Sequence, residues 1–556
     1  MTDRVEGFSN DVGFGSSDLP ELRDMPFRIM AVGDFCGVNR SAARDPAVID
    51  AHDFDKRLSD FMPRAHFEVE NYLGTGKTLE IDFTPASIKD FEPANMAARI
   101  PALAPVHDFI RRAKGLRDGT LKSNDFKRDL AAIQSIPALR ESLDAVFQAI
   151  GGPEGAAPAV GIDDILNASA APKAAKGSAI DAFAAGLSGA GNQGFDVSGA
   201  IDSASRLLAK QLDPVLRHES VRRLERNWRG LHLLCKRGKG ARLEVFDGDF
   251  DAWQQVVFEH ELAGTSDAPL AMVLLADEIP GGSAAIDQLQ QWGDAGGQIQ
   301  CAVVFEAGEG FLNTGVETLA ALNAPATHFD QPIFDKWRSL RDKDESRWLV
   351  AALNPWFMRP AFTHKRHNAD GPVAWGSPVW ILGAVVAGSM ERTGWPANHT
   401  GASSGEVTGL AVYPHSDGAE YPLKALLPDA HFKDLVKAGF TPLVTQANND
   451  AAWVLLAPTV HRPSKAEEEG KLGTLAYQLL AARIGEAVVR AKQRLSVPND
   501  EEATVNNFER YVNALVSNTG TGATAMARVQ GGQIQIALRT GRDVLNGVEM
   551  QLALGL

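Results

Sequence analysis

The sequence predicts a mixed α/β (α+β) protein built in several parts. Three observations carry that prediction. Strand-like and helix-like apolar periods alternate through the middle of the chain, two-residue alternation marks segments near both ends, and an Ala/Gly-rich stretch over residues 151–195 divides the whole. The 556 residues exceed what one ordinary core holds, and length alone allows about three or four domains. The 44% hydrophobic and 22% charged content is that of a soluble globular chain.

Residues 1–150 form the first region. Pro26 to Phe35 carries Phe27, Ile29, Met30 and Val32 in a strand-like pattern ended by Gly33 and Asp34. Residues 66–70 and 79–83 alternate apolar and acidic side chains around Gly74-Thr75-Gly76, which predicts a hairpin. Asp90-Phe91-Glu92-Pro93 then opens a helical stretch with Leu103, Val106, Phe109, Ile110 and Ala113 at helical spacing. Residues 151–195 are nearly free of aromatics and read as a linker. One island, Ile162-Asp163-Asp164-Ile165-Leu166, has the apolar spacing of a single helical turn.

The third region, 196–556, opens on an amphipathic helix with Leu207, Leu208, Leu212, Leu216, Val221 and Leu224, leading into Asn227-Trp228-Arg229-Gly230-Leu231. Strand-like 242–246, 271–276 and 298–305 alternate with helical 251–260 and 284–292, the rhythm of an α/β sheet. A helix is expected from about residue 474. Two strands, 533–538 with Ile534 and Ile536, and 548–554 with Val548, Met550, Leu552 and Leu554, close the chain.

Composition narrows the function. A formal net charge of −15 disfavours nucleic acid or an anionic membrane as the main partner, since both require clustered Lys and Arg. No run of about 18 apolar residues exists to span a bilayer, and the N-terminus lacks the apolar core of a secretory signal, so a cytoplasmic location is expected. Cys36, Cys235 and Cys301 are too scattered for a disulfide framework or a tetrahedral metal site.

The chemical motifs are weak. Gly74-Thr75-Gly76-Lys77-Thr78 ends like a phosphate loop, but Asn71 stands where the first Gly belongs and a strand pattern follows where a helix is needed. A P-loop nucleotide hydrolase using Lys77 and Thr78 is the alternative function to test. Gly401-Ala402-Ser403-Ser404-Gly405 has the spacing of a nucleophile elbow, yet its surroundings read as loop then strand. His364, His367, His399 and His415 have no carboxylates or cysteines at ligand spacing. Gly531-Gly532-Gln533 is read as a turn into the next strand. No catalytic, cofactor-binding or metal-binding residue is assigned.

What remains is a run built for contact. Lys336-Trp337-Arg338-Ser339-Leu340-Arg341 leads through Arg347 and Trp348 to Trp356-Phe357-Met358-Arg359-Pro360. Large aromatic side chains favour burial by ~2 kcal/mol or more each. Opposite charges at i,i+3 and i,i+4 add a few tenths of a kcal/mol each, roughly. Trp and Arg together suggest a helix docked on another domain or subunit.

These motifs, in order, resemble the type VI secretion contractile sheath. Pro26 to Gly37, Leu79 to Phe83 and Asp90 to Pro93 resemble the small sheath subunit. Gln211 to Leu234, Lys336 to Pro360, Thr393-Gly394-Trp395, Gly405 to Leu410 and Ala438 to Leu443 resemble the large one. The subunits are ordinarily separate chains, so the resemblance implies a fusion holding them at one to one. Gly485-Glu486-Ala487 departs from the helix motif expected there, and the stretch between Leu231 and Lys336 is shorter than in the family.

The resemblance implies a contractile tail-sheath-like protomer that polymerises helically around an inner tube and contracts to drive it outward, with baseplate components as further partners. It implies that terminal strands are shared between protomers, here Phe27, Ile29 and Val32 with Ile534, Ile536, Val548, Met550, Leu552 and Leu554. Trp228, Arg229, Trp337, Arg338, Arg341, Arg347 and Arg359 are its expected interface and packing residues. Ile162 to Leu166 resembles the short helix that an AAA+ unfoldase reads in the family.

Overall fold

Ile29, Met30, Ala31 and Val32 are apolar on both faces of a strand, and such a strand needs cover on both sides. In the computed structural model, β1 (Arg28–Gly33) is buried along its whole length. The structure describes residues 26–40, 45–74, 76–120, 136–138, 197–262, 268–362, 373–465, 472–497, 500–517, 524–530, 533–539 and 549–555.

β1 lies inside a seven-stranded sheet, parallel to β5 (Arg242–Asp247) on one side and β6 (Leu270–Leu275) on the other. Beyond β6 the sheet continues in parallel through β7 (Ala302–Glu306), β8 (Leu349–Leu353) and β14 (Phe440–Pro442). Beyond β5 it ends on the antiparallel β2 (Ala47–Val48). A strand from the first 150 residues therefore sits between two strands that follow one another after the linker.

This placement corrects one expectation. Phe27, Ile29 and Val32 offer no edge to a neighbouring protomer, because both edges of β1 are paired within the chain. The Phe27 carbonyl likewise accepts from the Arg242 amide at 2.9 Å.

Alternate residues of each strand feed two cores. Ile29, Ala31, Val245, Met272, Leu274 and Val304 face one side, which is covered by α1 (Phe54–Phe61), α2 (Pro93–Arg99), α3 (Ala104–Arg117), α4 (Val197–Arg217), α5 (Glu219–Arg237) and α8 (Val379–Thr393). Met30, Val32, Val273, Val303, Phe305 and Ala351 face the other, under α6 (Ser283–Ile299), α7 (Asp335–Arg341) and α9 (Asp429–Lys437). Both faces are thus sealed, as a parallel sheet requires.

Smaller units decorate this body. The expected hairpin forms from β3 (Ala65–Glu70) and β4 (Thr78–Phe83). Short antiparallel pairs join β9 (Trp356–Arg359) to β10 (Ala374–Gly376), β11 (Glu406–Val407) to β15 (Ala452–Trp453), and β12 (Tyr413–Pro414) to β13 (Glu420–Tyr421).

A third core joins α10 (Leu475–Leu495) and α11 (Glu501–Ser517) to an antiparallel sheet of β16 (Thr524–Gln530), β17 (Gln533–Arg539) and β18 (Glu549–Gly555). Here β17 is the middle strand, and Ile534, Ile536 and Leu538 point into the core. Ile534 and Ile536 therefore do not lie on a shared edge strand, a second correction. β16 and β18 each keep one edge without a strand partner among the described residues. Val548 lies outside the described residues.

Candidate assembly interface

The charged run folds largely inward. In α7 the spacing of Trp337, Leu340 and Arg341 places all three on the buried face. Trp337 stacks on Phe440, meets the edges of Phe305 and Phe311, and its Nε1 donates to the Ala438 carbonyl at 3.3 Å. Arg341 donates to the carbonyls of Val460 at 3.0 Å and Lys437 at 2.7 Å. Burial, helped by repulsion from Arg462, pulls its pKa down to about 10.

Arg338, Arg347 and Trp348 stay nearer the surface. Arg338 reaches the Gln331 carbonyl at 3.0 Å and the Asp335 carboxylate. Arg347 meets Asp344 at 3.4 Å, and Trp348 packs over Gly296 and Gly297 of α6. Trp356 is buried, its Nε1 donating to the Ser377 carbonyl at 3.1 Å. The tryptophans stabilise this chain's own core, so Trp337 is not presented to another subunit.

A second cluster centres on Glu225 of α5. Its carboxylate accepts both forks of Arg359, at 2.5 and 2.7 Å, and the Nε of Arg229 at 2.9 Å. Arg229 also reaches Glu92 at 3.0 Å, so it links the region after the linker to the first region. Trp228 beside it is fully buried, edge-on to Phe35, Phe54 and Phe61 of the first region.

The joint between the two regions also rests on residues that the sequence reading passed over. Arg28 enters the sheet with β1 and is met by Glu244 at 2.8 and 3.0 Å, Glu261 at 2.6 Å and the Ala268 carbonyl at 2.6 Å. Burial alone would weaken its charge, but the hydrogen bonds and charge of Glu244 and Glu261 outweigh that and raise its pKa. Gln211 of α4 accepts from the Tyr72 amide at 2.7 Å and donates to the Glu70 carbonyl at 2.8 Å. The ring of His218 stacks on Phe67 at 3.6 Å. The one signal in the sequence was a lone Arg heading an apolar strand.

A cleft of about 610 Å3 opens between α5 and the carboxyl ends of β6, β7 and β8. Its charges largely satisfy one another: Arg226 pairs with Glu278 and Glu306, Arg223 with Glu219 and Asp34, and Lys424 with Glu309.

The decoys fall on geometry. Lys77 and Thr78 lie where the β3–β4 connection enters β4, so a strand stands where a phosphate loop needs a helix N-terminus. Ser403 sits in a turn before the two-residue β11, with no following helix. His399 is buried, with Nδ1 2.6 Å from the Pro396 carbonyl, and His415 stacks on Tyr421. Among the described residues no group of three or more His, Cys, Asp or Glu is placed to hold a metal, and no helix is long and apolar enough to cross a membrane. Ile162, Asp163, Asp164, Ile165 and Leu166, with His364 and His367, lie outside the described residues.

Two family models match the chain. Residues 14–148 match the family described as type VI secretion system, VipA. Residues 252–461 match VipB, the EvpB tail sheath N-terminal domain. The chain belongs to the type VI secretion sheath families. A small-subunit region and a large-subunit region are fused in it, in that order.

The type VI secretion system sheath protein TssC1 of Pseudomonas aeruginosa is 26% identical over 159 residues, which is 25% of this chain and 32% of that protein. The match thus spans about a third of the relative's length. Among solved structures, the sheath tail protein of Desulfitobacterium hafniense aligns at 10% identity over 55% of this chain and 60% of its own, with a TM-score of 0.32. The sheath of an extracellular contractile injection system in its contracted state aligns at 10% identity over 57% and 76%, with a TM-score of 0.35. Likenesses that weak add nothing to the family assignment.

Proposed function

We propose that this protein is the structural subunit of a type VI secretion contractile sheath, with small and large subunits supplied by one polypeptide. The observation that carries the reading is the ordered pair of sheath families in one chain. Their fusion fixes the subunit ratio at one to one. The protomers polymerise helically around an inner tube, engage baseplate components, and contract to propel the tube for effector delivery from a bacterial cytoplasm. An AAA+ unfoldase reading Ile162 to Leu166 recycles the contracted sheath. The protein does mechanical work and has no catalysis, cofactor, nucleic-acid or membrane-inserting role of its own.

Polymerisation needs heterologous contacts that do not close. β18 supports such a contact, because its outer edge has no strand partner among the described residues and an unpaired edge accepts a further strand through backbone hydrogen bonds. Met550, Leu552 and Leu554 belong to this strand. Deleting residues 548–556 is expected to abolish polymers while leaving a folded monomer. In ultracentrifugal pelleting the full chain sediments and the deleted chain stays in the supernatant with native circular dichroism. Pelleting of the deleted chain to the same extent refutes strand sharing through β18.

A further inference from the structure

The small-subunit region enters the large-subunit region at one densely read turn. After β1 the chain turns through Asp34, Phe35 and Cys36, and large-region side chains take up its backbone groups. Asp277, just past β6, accepts from the Asp34 amide at 2.8 Å. Asp247, the last residue of β5, accepts from the amides of Phe35 at 2.7 Å and Cys36 at 3.0 Å through a single oxygen. Asn227 of α5 donates to the Asp34 carbonyl at 2.9 Å and to Asp277 at 2.8 Å. Trp228 donates to the Phe35 carbonyl at 2.9 Å while its ring lies edge-on to Phe35.

The turn is shaped for this seat. At Gly33 an added Cβ would come within 2.8 Å of Ala276 Cβ. Gly37 has a φ of +63°, and a Cβ there would meet the Arg64 carbonyl at 2.3 Å. Asp34 folds the turn on itself, accepting from the Gly37 amide at 2.7 Å, and pairs outward with Arg223 at 3.3 Å.

We propose that Asp247, Asp277, Asn227 and Trp228 form a recognition socket, and that this socket decides which small-subunit segment the large-subunit region accepts. The partner it fits is an apolar strand ending in Gly, followed by Asp, an aromatic residue and, two positions after the aromatic, a second Gly. The apolar flanks of β1 do not discriminate, because hydrophobic contact is non-directional and Ile, Val and Leu pack alike. The socket reads direction and register: two acceptors meet three consecutive amides, and two donors meet the carbonyls between them. A one-residue slip would leave these buried groups unpaired and turn every side chain of β1 to the other face. The inference rests on the reading of the two regions as small and large subunit, and adds the residues that pair them.

The test uses the full chain with a protease site placed in the linker. After cutting, release of the small-region fragment is followed by size exclusion with a fluorescent label, whether or not tubes form, so failure to polymerise is read separately. Wild-type fragments stay together. Trp228→Phe keeps an aromatic ring, smaller than the indole, and removes one donor, and release is expected to be faster on the order of tenfold. Asp247→Leu releases the fragment outright, Asp247→Asn, which keeps an acceptor oxygen, retains it, and Ile29→Leu, which alters only the apolar flank, releases no faster than wild type. A purely structural role would lower the melting temperature of the uncut Trp228→Phe chain and leave its release rate unchanged. That result, or wild-type fragments that part on cleavage, overturns the socket.

Discussion

Glu225 holds two guanidiniums in a place that is almost closed to water. Removing Arg359 takes away two of the three hydrogen bonds to this buried carboxylate and leaves Arg229 to hold its charge, so Arg359→Ala is expected to cost about 2–3 kcal/mol in urea unfolding. Arg338→Ala, at a half-exposed pair, is expected to cost under about 1 kcal/mol.

His399 gives the fold a pH dependence. Burial, opposed only by its hydrogen bond to the Pro396 carbonyl, pushes its pKa down to about 4 from 6.5. Between those values the unfolded chain binds the proton and the folded chain does not, so stability rises with pH across that window. The contribution is complete above the unfolded value and is lost as pH falls, by about 3 kcal/mol once below the folded one. His399→Gln is expected to flatten that acid limb in thermal unfolding between pH of about 7 and about 4.5. Residue identity made the burial of Trp337 legible in advance. It did not show that Arg341 follows Trp337 inward, because the carbonyls that satisfy Arg341 come from residues about a hundred positions away.

At the scale of elements, period-two alternation identified β17 and β18 as strands, but alternation is indifferent to rank within a sheet. Which strand is central depends on β16, whose alternation is faint in the sequence because its inward residues are the small Ala525, Ala527 and Val529 and the apolar Met526 faces outward. β1 was the opposite case. Its unbroken Ile-Met-Ala-Val run is the composition of a central parallel strand, whereas an edge strand carries charges or Pro. Ile536 tests whether the third core is separable. Ile536→Ala is expected to cost about 2–5 kcal/mol, and hydrogen exchange should report the loss in α10, α11 and β16–β18 while β5–β8 stay protected. Equal loss of protection in the main sheet would show that the cores unfold together.

Over the whole molecule, the order of the motifs was legible and the way they interlock was not. β1 pairs with a strand more than two hundred residues later, and no local pattern encodes a contact of that span. The consequence is that neither region completes the central sheet alone. Residues 196–556 made without the first region would leave an open slot between β5 and β6, two apolar edges of the kind that aggregates. That fragment is expected in the insoluble fraction, and co-expression of residues 1–150 is expected to bring it into solution. A soluble, monomeric 196–556 with native circular dichroism would contradict the shared sheet.

Electron microscopy of the overexpressed full-length protein tests the sheath assignment most directly. The account predicts hollow tubes of regular helical repeat, each repeating unit holding one chain with both regions in place. Monodisperse globules under all conditions would contradict it.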